Sequence, residues 1–294
     1  MVLEHLFPEE WLEKKSYYAF LLGAGYSIIG VLFSKFLFPA DPALPAVAFT
    51  SLLLLPELYK MFSIEEKQQR SEKKSFMFRT FWKDNGDFFR VYLFLFLGIL
   101  IVYSLAAMLL PSLSVNTLFK QQVALRGPGF AAAGQATINY SNNSIFWSIL
   151  SNNFWVLVAC FVVALLAGDG AVFLIVWNAS VWGTIFGLTA RNAAFFSNSN
   201  PIGFFLIILA IVLPHVLLEG SSYILAAMAG GLISKGALKE GIDGKRFGRV
   251  FKDNSFILLL AFACLVLGAI VETFVLNHSS KYNEIIRLSF SALK

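Results

Sequence analysis

Long apolar runs separated by short polar breaks dominate the chain, at residues 17–38, 43–59, 88–110, 153–168, 171–190, 201–233 and 255–276. A helix needs about 20 apolar residues to cross a bilayer. The apolar residues come in continuous runs rather than in alternation, which predicts helices and argues against a transmembrane barrel. The expected fold is therefore all-α, a polytopic transmembrane helix bundle of six to seven spans. Phe38-Pro39-Ala40-Asp41-Pro42 predicts a tight turn between the first two spans, because its prolines cannot continue a helix.

The run 201–233 is too long for a simple crossing. As one helix it would measure about 50 Å against a hydrocarbon core of about 30 Å. Pro214 is the natural break, since proline removes a backbone bond and suits the first position of a new helix. The preferred reading makes Pro201–Leu213 a re-entrant half-helix and His215–Ser234 the true span. The alternative is one tilted helix kinked at Pro214. That alternative would put Glu219 about 27 Å from the outer end, out of easy reach of Glu272.

Composition strengthens the membrane assignment. The 294 residues are 57% hydrophobic and only 14% charged, too little polar surface for a protein in water. A nucleic-acid binder, a disulfide scaffold and a disordered protein are excluded. Cys160 and Cys264 both lie in apolar runs, as small buried hydrophobes.

Net charge is +5, and its placement carries more than its sum. Seven of the 23 Lys and Arg residues fall between Lys60 and Lys83, and six between Lys235 and Lys252. The positive-inside rule makes both blocks cytoplasmic. They set topology, with contact to anionic headgroups as the second reading. The segment 111–152 has only two basic residues and two glycosylation-type acceptor patterns, beginning at Asn139 and Asn142, so it is expected outside. The organisation that follows is an arm and first helical hairpin (1–59), a basic cytoplasmic segment (60–87), a third span (88–110), an extracellular segment (111–152), a membrane core (153–276) and a tail (277–294). Seven crossings place the N-terminus in the cytoplasm and the C-terminus outside. Acidic residues Glu4, Glu9, Glu10 and Glu13 argue against a cleavable signal, so the first helix is expected to stay as an anchor.

Against this apolar background a few polar groups stand out, because an ionisable side chain in hydrocarbon costs about 2.5–3.5 kcal/mol on insertion scales. They are Asp169, His215, Glu219 and Glu272, with Asn152, Asn153 and Asn178 as neutral neighbours. Asp169 sits between Gly168 and Gly170, which predicts a helix-hairpin turn. His215 and Glu219 are four residues apart and share a helix face. Together with Glu272 they form either an interhelical lock or a pathway for protons or cations. A zinc site is disfavoured by the presence of only three histidines, and His215-Val-Leu-Leu-Glu219 lacks the second histidine of a metalloprotease helix. Gly241-Ile242-Asp243-Gly244-Lys245-Arg246 lacks the spacing of a phosphate loop and reads as a basic turn. No cofactor is expected. Gly183 with Gly187, and Gly230 and Gly231 with Ala226 and Ala227, allow close helix approach within the chain or between copies of it.

The order of these landmarks resembles the stage II sporulation protein M family, in particular its archaeal membrane-protein branch. The resemblance rests on Ile149-Leu150-Ser151-Asn152-Asn153-Phe154, Trp177-Asn178-Ala179-Ser180-Val181-Trp182-Gly183, Leu213-Pro214-His215, Glu219 and Ala269-Ile270-Val271-Glu272. Leu55-Pro56-Glu57-Leu58-Tyr59 adds to it near the N-terminus. The family pattern usually has glycine after Pro-His, where this chain has Val216. The resemblance implies a membrane component of a machinery that remodels the cell envelope, with catalysis supplied by partners. The first expectation is thus a non-enzymatic scaffold whose contacts are the bilayer and envelope proteins. The alternative is a transporter or channel using His215, Glu219 and Glu272.

Overall fold

The apolar runs become helices because a backbone in hydrocarbon must satisfy its own polar groups. The computed structural model describes residues 17–71, 78–125, 142–240 and 245–291, and among them every regular element is helical. We number the helices α1 (Tyr17–Leu37), α2 (Ala43–Ser71), α3 (Phe78–Leu109), α4 (Ser112–Leu118), α5 (Lys120–Leu125), α6 (Asn142–Ala167), α7 (Ala171–Ser197), α8 (Pro201–Glu240), α9 (Lys245–His278) and α10 (Ser280–Ser291). The stretches long and apolar enough to cross a membrane are Tyr17–Leu37, Gly86–Leu109, Ser144–Ser197, Pro201–Leu238 and Val250–His278. The third holds two helices, α6 and α7, and the shorter apolar helix Ala43–Pro56 pairs with α1.

Large apolar side chains face outward on these helices. Phe36 is 83% exposed, Leu166 81% and Phe195 81%, which is the surface a lipid solvent selects. The acceptor Asn139 and the N-terminal acidic cluster lie outside the described residues, as do the side chains of Asn142 and of Lys60 to Lys83.

Helix directions follow from close contacts. Gly23 meets Leu95 while Ile28 and Leu32 share a cavity wall with Val102 and Ala106, so α1 and α3 run parallel. Gly183 against Leu100 and Gly187 against Ser104 make α3 and α7 parallel as well. Gly230 against Phe161 and Leu165, with Asn153 beside Glu219 further back along both helices, makes α6 and α8 parallel. Gly268 against Glu219 and Gly236 against Val250 make α8 and α9 antiparallel. At most of these crossings a glycine lies against the backbone of the facing helix, which only a missing side chain permits.

The hairpin turn at Asp169 forms as the glycines require. Gly168 has φ +58, the left-handed region, and Gly168–Gly170 is a single 3₁₀ turn joining α6 to α7. At the other end of α7, Asn198 takes φ 49 and its neighbour Ser199 N–H donates to the Ala194 carbonyl at 3.0 Å.

The expectation for residues 201–233 is corrected. There is no re-entrant half-helix: α8 is one helix of 40 residues with Pro214 inside it. Proline removes only the bond to the Ala210 carbonyl; Pro214 itself is exposed, and the helix is held through it by its buried face, where Val212, His215 and Val216 pack into the bundle. Its length is accommodated because α8 outruns α9 at one end, so residues near Pro201 extend past His278. The register Gly268–Glu219 puts the end of α9 opposite residues near Leu209.

Candidate functional site

The helix registers bring four polar residues from three helices to one depth. The parallel pairing of α6 with α8 sets Asn153 beside Glu219, and the antiparallel pairing of α8 with α9 sets Glu272 there too. Glu219 faces both residues within hydrogen-bonding reach. Asn152 Nδ2 donates to Asn153 Oδ1 at 3.2 Å, which links the asparagine pair to the carboxylates. Gly268 makes the approach workable: a Cβ there would stand 2.9 Å from Glu219 Cγ. The expectation that a continuous helix would separate Glu219 from Glu272 is therefore also corrected. Glu219 is deep along α8, but α9 ends short of the start of α8, so the two carboxylates meet.

Burial is severe. Glu219 is 3% exposed, His215 6% and Asn153 9%, while Glu272 is half-buried. Two carboxylates in contact inside hydrocarbon cannot both carry an uncompensated charge, since each would cost several kcal/mol. The pair must hold protons or a cation.

The sequence did not single out Tyr223, Cys160 or Tyr282. Tyr223 lies one turn beyond Glu219 on the same face of α8, and it interacts electrostatically with Glu219, Glu272 and Cys160. Tyr282, on α10, faces Glu272 from outside the spanning helices. Burial pushes the Tyr282 phenol above its ordinary value, and the Glu272 charge pushes it the same way, so it stays a hydrogen-bond donor. Only the four-residue spacing from Glu219 to Tyr223 was readable in advance. The tyrosines otherwise look like ordinary aromatics in greasy helices.

His215 is less integrated than its spacing suggests. Its Nδ1 has no hydrogen-bond partner among the described residues. It shares a face with Glu219 and Tyr223 on α8, one turn from Glu219. Asn178 stands apart, donating to the Leu174 carbonyl of its own helix at 2.8 Å. Asp169 is also separate: its carboxylate pairs with Lys235 Nζ at 3.8 Å, clamping the hairpin turn to α8. Beside it lies a cavity of about 10 Å³ lined by Phe88, Tyr92, Val172 and Met228 among others. Among the described residues, no three His, Cys, Asp or Glu side chains are grouped to hold a metal ion.

The small-residue positions are buried within the bundle. Gly183 and Gly187 pack on α3 and Gly230 packs on α6, so these three glycines serve contacts within the chain.

No curated protein and no solved structure matches this chain. A family model described as stage II sporulation protein M matches residues 91–275, from the middle of α3 to just past Glu272. The match spans more than half of the chain and includes the hairpin turn, Asn153, His215, Glu219 and Glu272. On this match, with its apolar helices, the chain is a multi-pass membrane protein belonging to the stage II sporulation protein M family.

Proposed function

We propose that this protein is a non-enzymatic membrane scaffold that organises partners in the cell envelope, with its N-terminus in the cytoplasm and its C-terminus outside. The observation that supports this reading best is the set of glycine contacts. Helix pairs α1/α3, α3/α7 and α6/α8 each bring a glycine against the facing backbone. Such contacts allow few alternative helix packings, which suits a fixed platform. Gly236 and Gly268 fit α8 to α9 through side chains instead. The basic segments 60–87 and 234–254 and the external segment 111–152 are the expected docking regions.

The transport alternative draws its support from the buried Glu219–Glu272 pair, because ionisable groups in a bundle often line a pathway. Reconstituted vesicles separate the two readings. Under the scaffold reading, the purified protein carries no proton or cation flux, and Glu272→Gln alters stability alone. A flux that disappears in folded Glu272→Gln protein would replace the scaffold with the transporter. Cysteines introduced at the outward-facing Leu113 and Leu238 test orientation. An impermeant thiol reagent added outside cells should label the first and spare the second.

A further inference from the structure

We infer that Glu219, Glu272, Asn153 and Tyr223 form a binding site for one small monovalent cation, of the sodium type, which exchanges with a proton. Such a site is independent of whether the bundle is a scaffold, since it needs no movement of helices.

The donor atoms carry the inference. Glu219 Oε1 and the Tyr223 hydroxyl have no hydrogen-bond partner among the described residues, although Glu219 is 3% and Tyr223 1% exposed. A buried polar atom left without a partner costs about 1–3 kcal/mol, so two in one cluster ask for a ligand. Both belong to side chains that interact with the same carboxylate, Glu272. Every donor the cluster offers is oxygen, the ligand preferred by hard cations and not by zinc or copper. Glu272 is half-buried, and it gives the cluster its contact with the bundle surface.

Charge decides the valence. Hydrocarbon favours a neutral cluster, and the carboxyl pair reaches neutrality in two simple ways. It can hold two protons, or one proton and one monovalent cation. One cation enters as one proton leaves, and net charge stays at zero. A calcium ion would need both carboxylates ionised, and the six oxygens of these four side chains, one of them a phenol, only just reach the lower end of its usual 6–8. The other titratable groups around the pair are His215 on α8, Cys160 on α6, facing Tyr223, and Tyr282 on α10, facing Glu272.

The test measures the melting temperature of the full chain in detergent, with sodium, lithium, potassium, calcium or choline chloride at constant ionic strength and several pH values. Sodium or lithium should raise Tm by several degrees over choline, and more so at higher pH. In the proton-loaded range the apparent affinity should fall about tenfold for each unit drop in pH, as competition with one proton requires. Glu272→Gln should abolish the sodium effect, and Tyr223→Phe should weaken it while leaving the choline Tm within a few degrees. If Glu272→Gln fails to fold, the Tyr223→Phe comparison decides. Equal Tm in sodium and choline at every pH would overturn the site. So would an undiminished sodium effect in Tyr223→Phe, or stabilisation by calcium alone.

Discussion

Gly268 lies flat against Glu219. A Cβ on Gly268 would stand 2.9 Å from the Cγ of Glu219 and 3.4 Å from the Cβ of Leu218. The facing atom is the second carbon of a nearly fully buried side chain, which has little room to retreat. Gly268→Ala should therefore cost about 1–3 kcal/mol, the usual range for overpacking. It should push Glu219 away from Glu272. A thermal scan reads the first effect. Near-wild-type stability together with an unchanged response to pH would show that Glu219 has other space to occupy.

Gly23 and Gly25 on α1 give an internally controlled pair. A Cβ at Gly23 would meet the Leu95 carbonyl oxygen at 2.5 Å, while one at Gly25 would meet nothing within 4 Å. Backbone cannot yield as a side-chain tip can. Gly23→Ala should lower Tm and the monodisperse fraction on gel filtration. Gly25→Ala should be neutral, or stabilising by up to about 1 kcal/mol through helix propensity. Equal behaviour of the two variants would show that α1 does not pack on α3 in this register.

These glycines also mark what was legible in the sequence. The helices and the Gly168-Asp169-Gly170 turn could be read directly, because hydrocarbon enforces helices and glycine takes φ +58 without the cost a side chain would bring. The pair Glu219 and Glu272 could be shortlisted because charge in an apolar run is expensive. How they meet could not be read. Pro214 looks like a break in isolation, yet α8 continues through it because the buried residues on either side, Val212 and Val216, hold the helix against the bundle. The relative depth of α8 and α9 is a tertiary property, fixed by contacts such as Gly236 with Val250, and no local pattern encodes it. Tyr223 and Tyr282 were missed for the same reason, since a tyrosine in an apolar segment is equally common as packing.

Asp169 and Lys235 join the hairpin turn to α8 across 3.8 Å, with side chains 14% and 21% exposed. Exposed pairs contribute about 0–1 kcal/mol, and breaking a buried one costs about 3–5 kcal/mol. A pair at this depth should fall between, so Asp169→Asn should destabilise by about 1–2 kcal/mol. In a double-mutant cycle with Lys235→Met, the losses should be less than additive. Strict additivity would show that the two charges do not cooperate, and that glycine geometry alone holds the turn.

Arg191 makes the last contact that a single substitution can isolate. Its Nη1 donates to the Leu110 carbonyl at 2.9 Å and its Nη2 to Ser112 Oγ at 2.6 Å. Leu110 directly follows α3 and Ser112 opens α4, so the guanidinium bridges two helices from a third, α7. One planar group does this because its fork of donors can span two acceptors, whereas a lysine ammonium is a point donor on a flexible stem. Hydrogen bonds from a charged donor contribute about 1.5–3 kcal/mol each, less where solvent reaches them. Arg191→Lys should retain charge but lose one of the two contacts. Amide exchange across Ser112–Leu118 should then accelerate, with little change in the middle of α3. Arg191→Leu should accelerate it further. Exchange that rises equally throughout α3 would mean that Arg191 supports the whole bundle, and unchanged exchange would mean that Phe119, packed on Tyr103, anchors this corner without it.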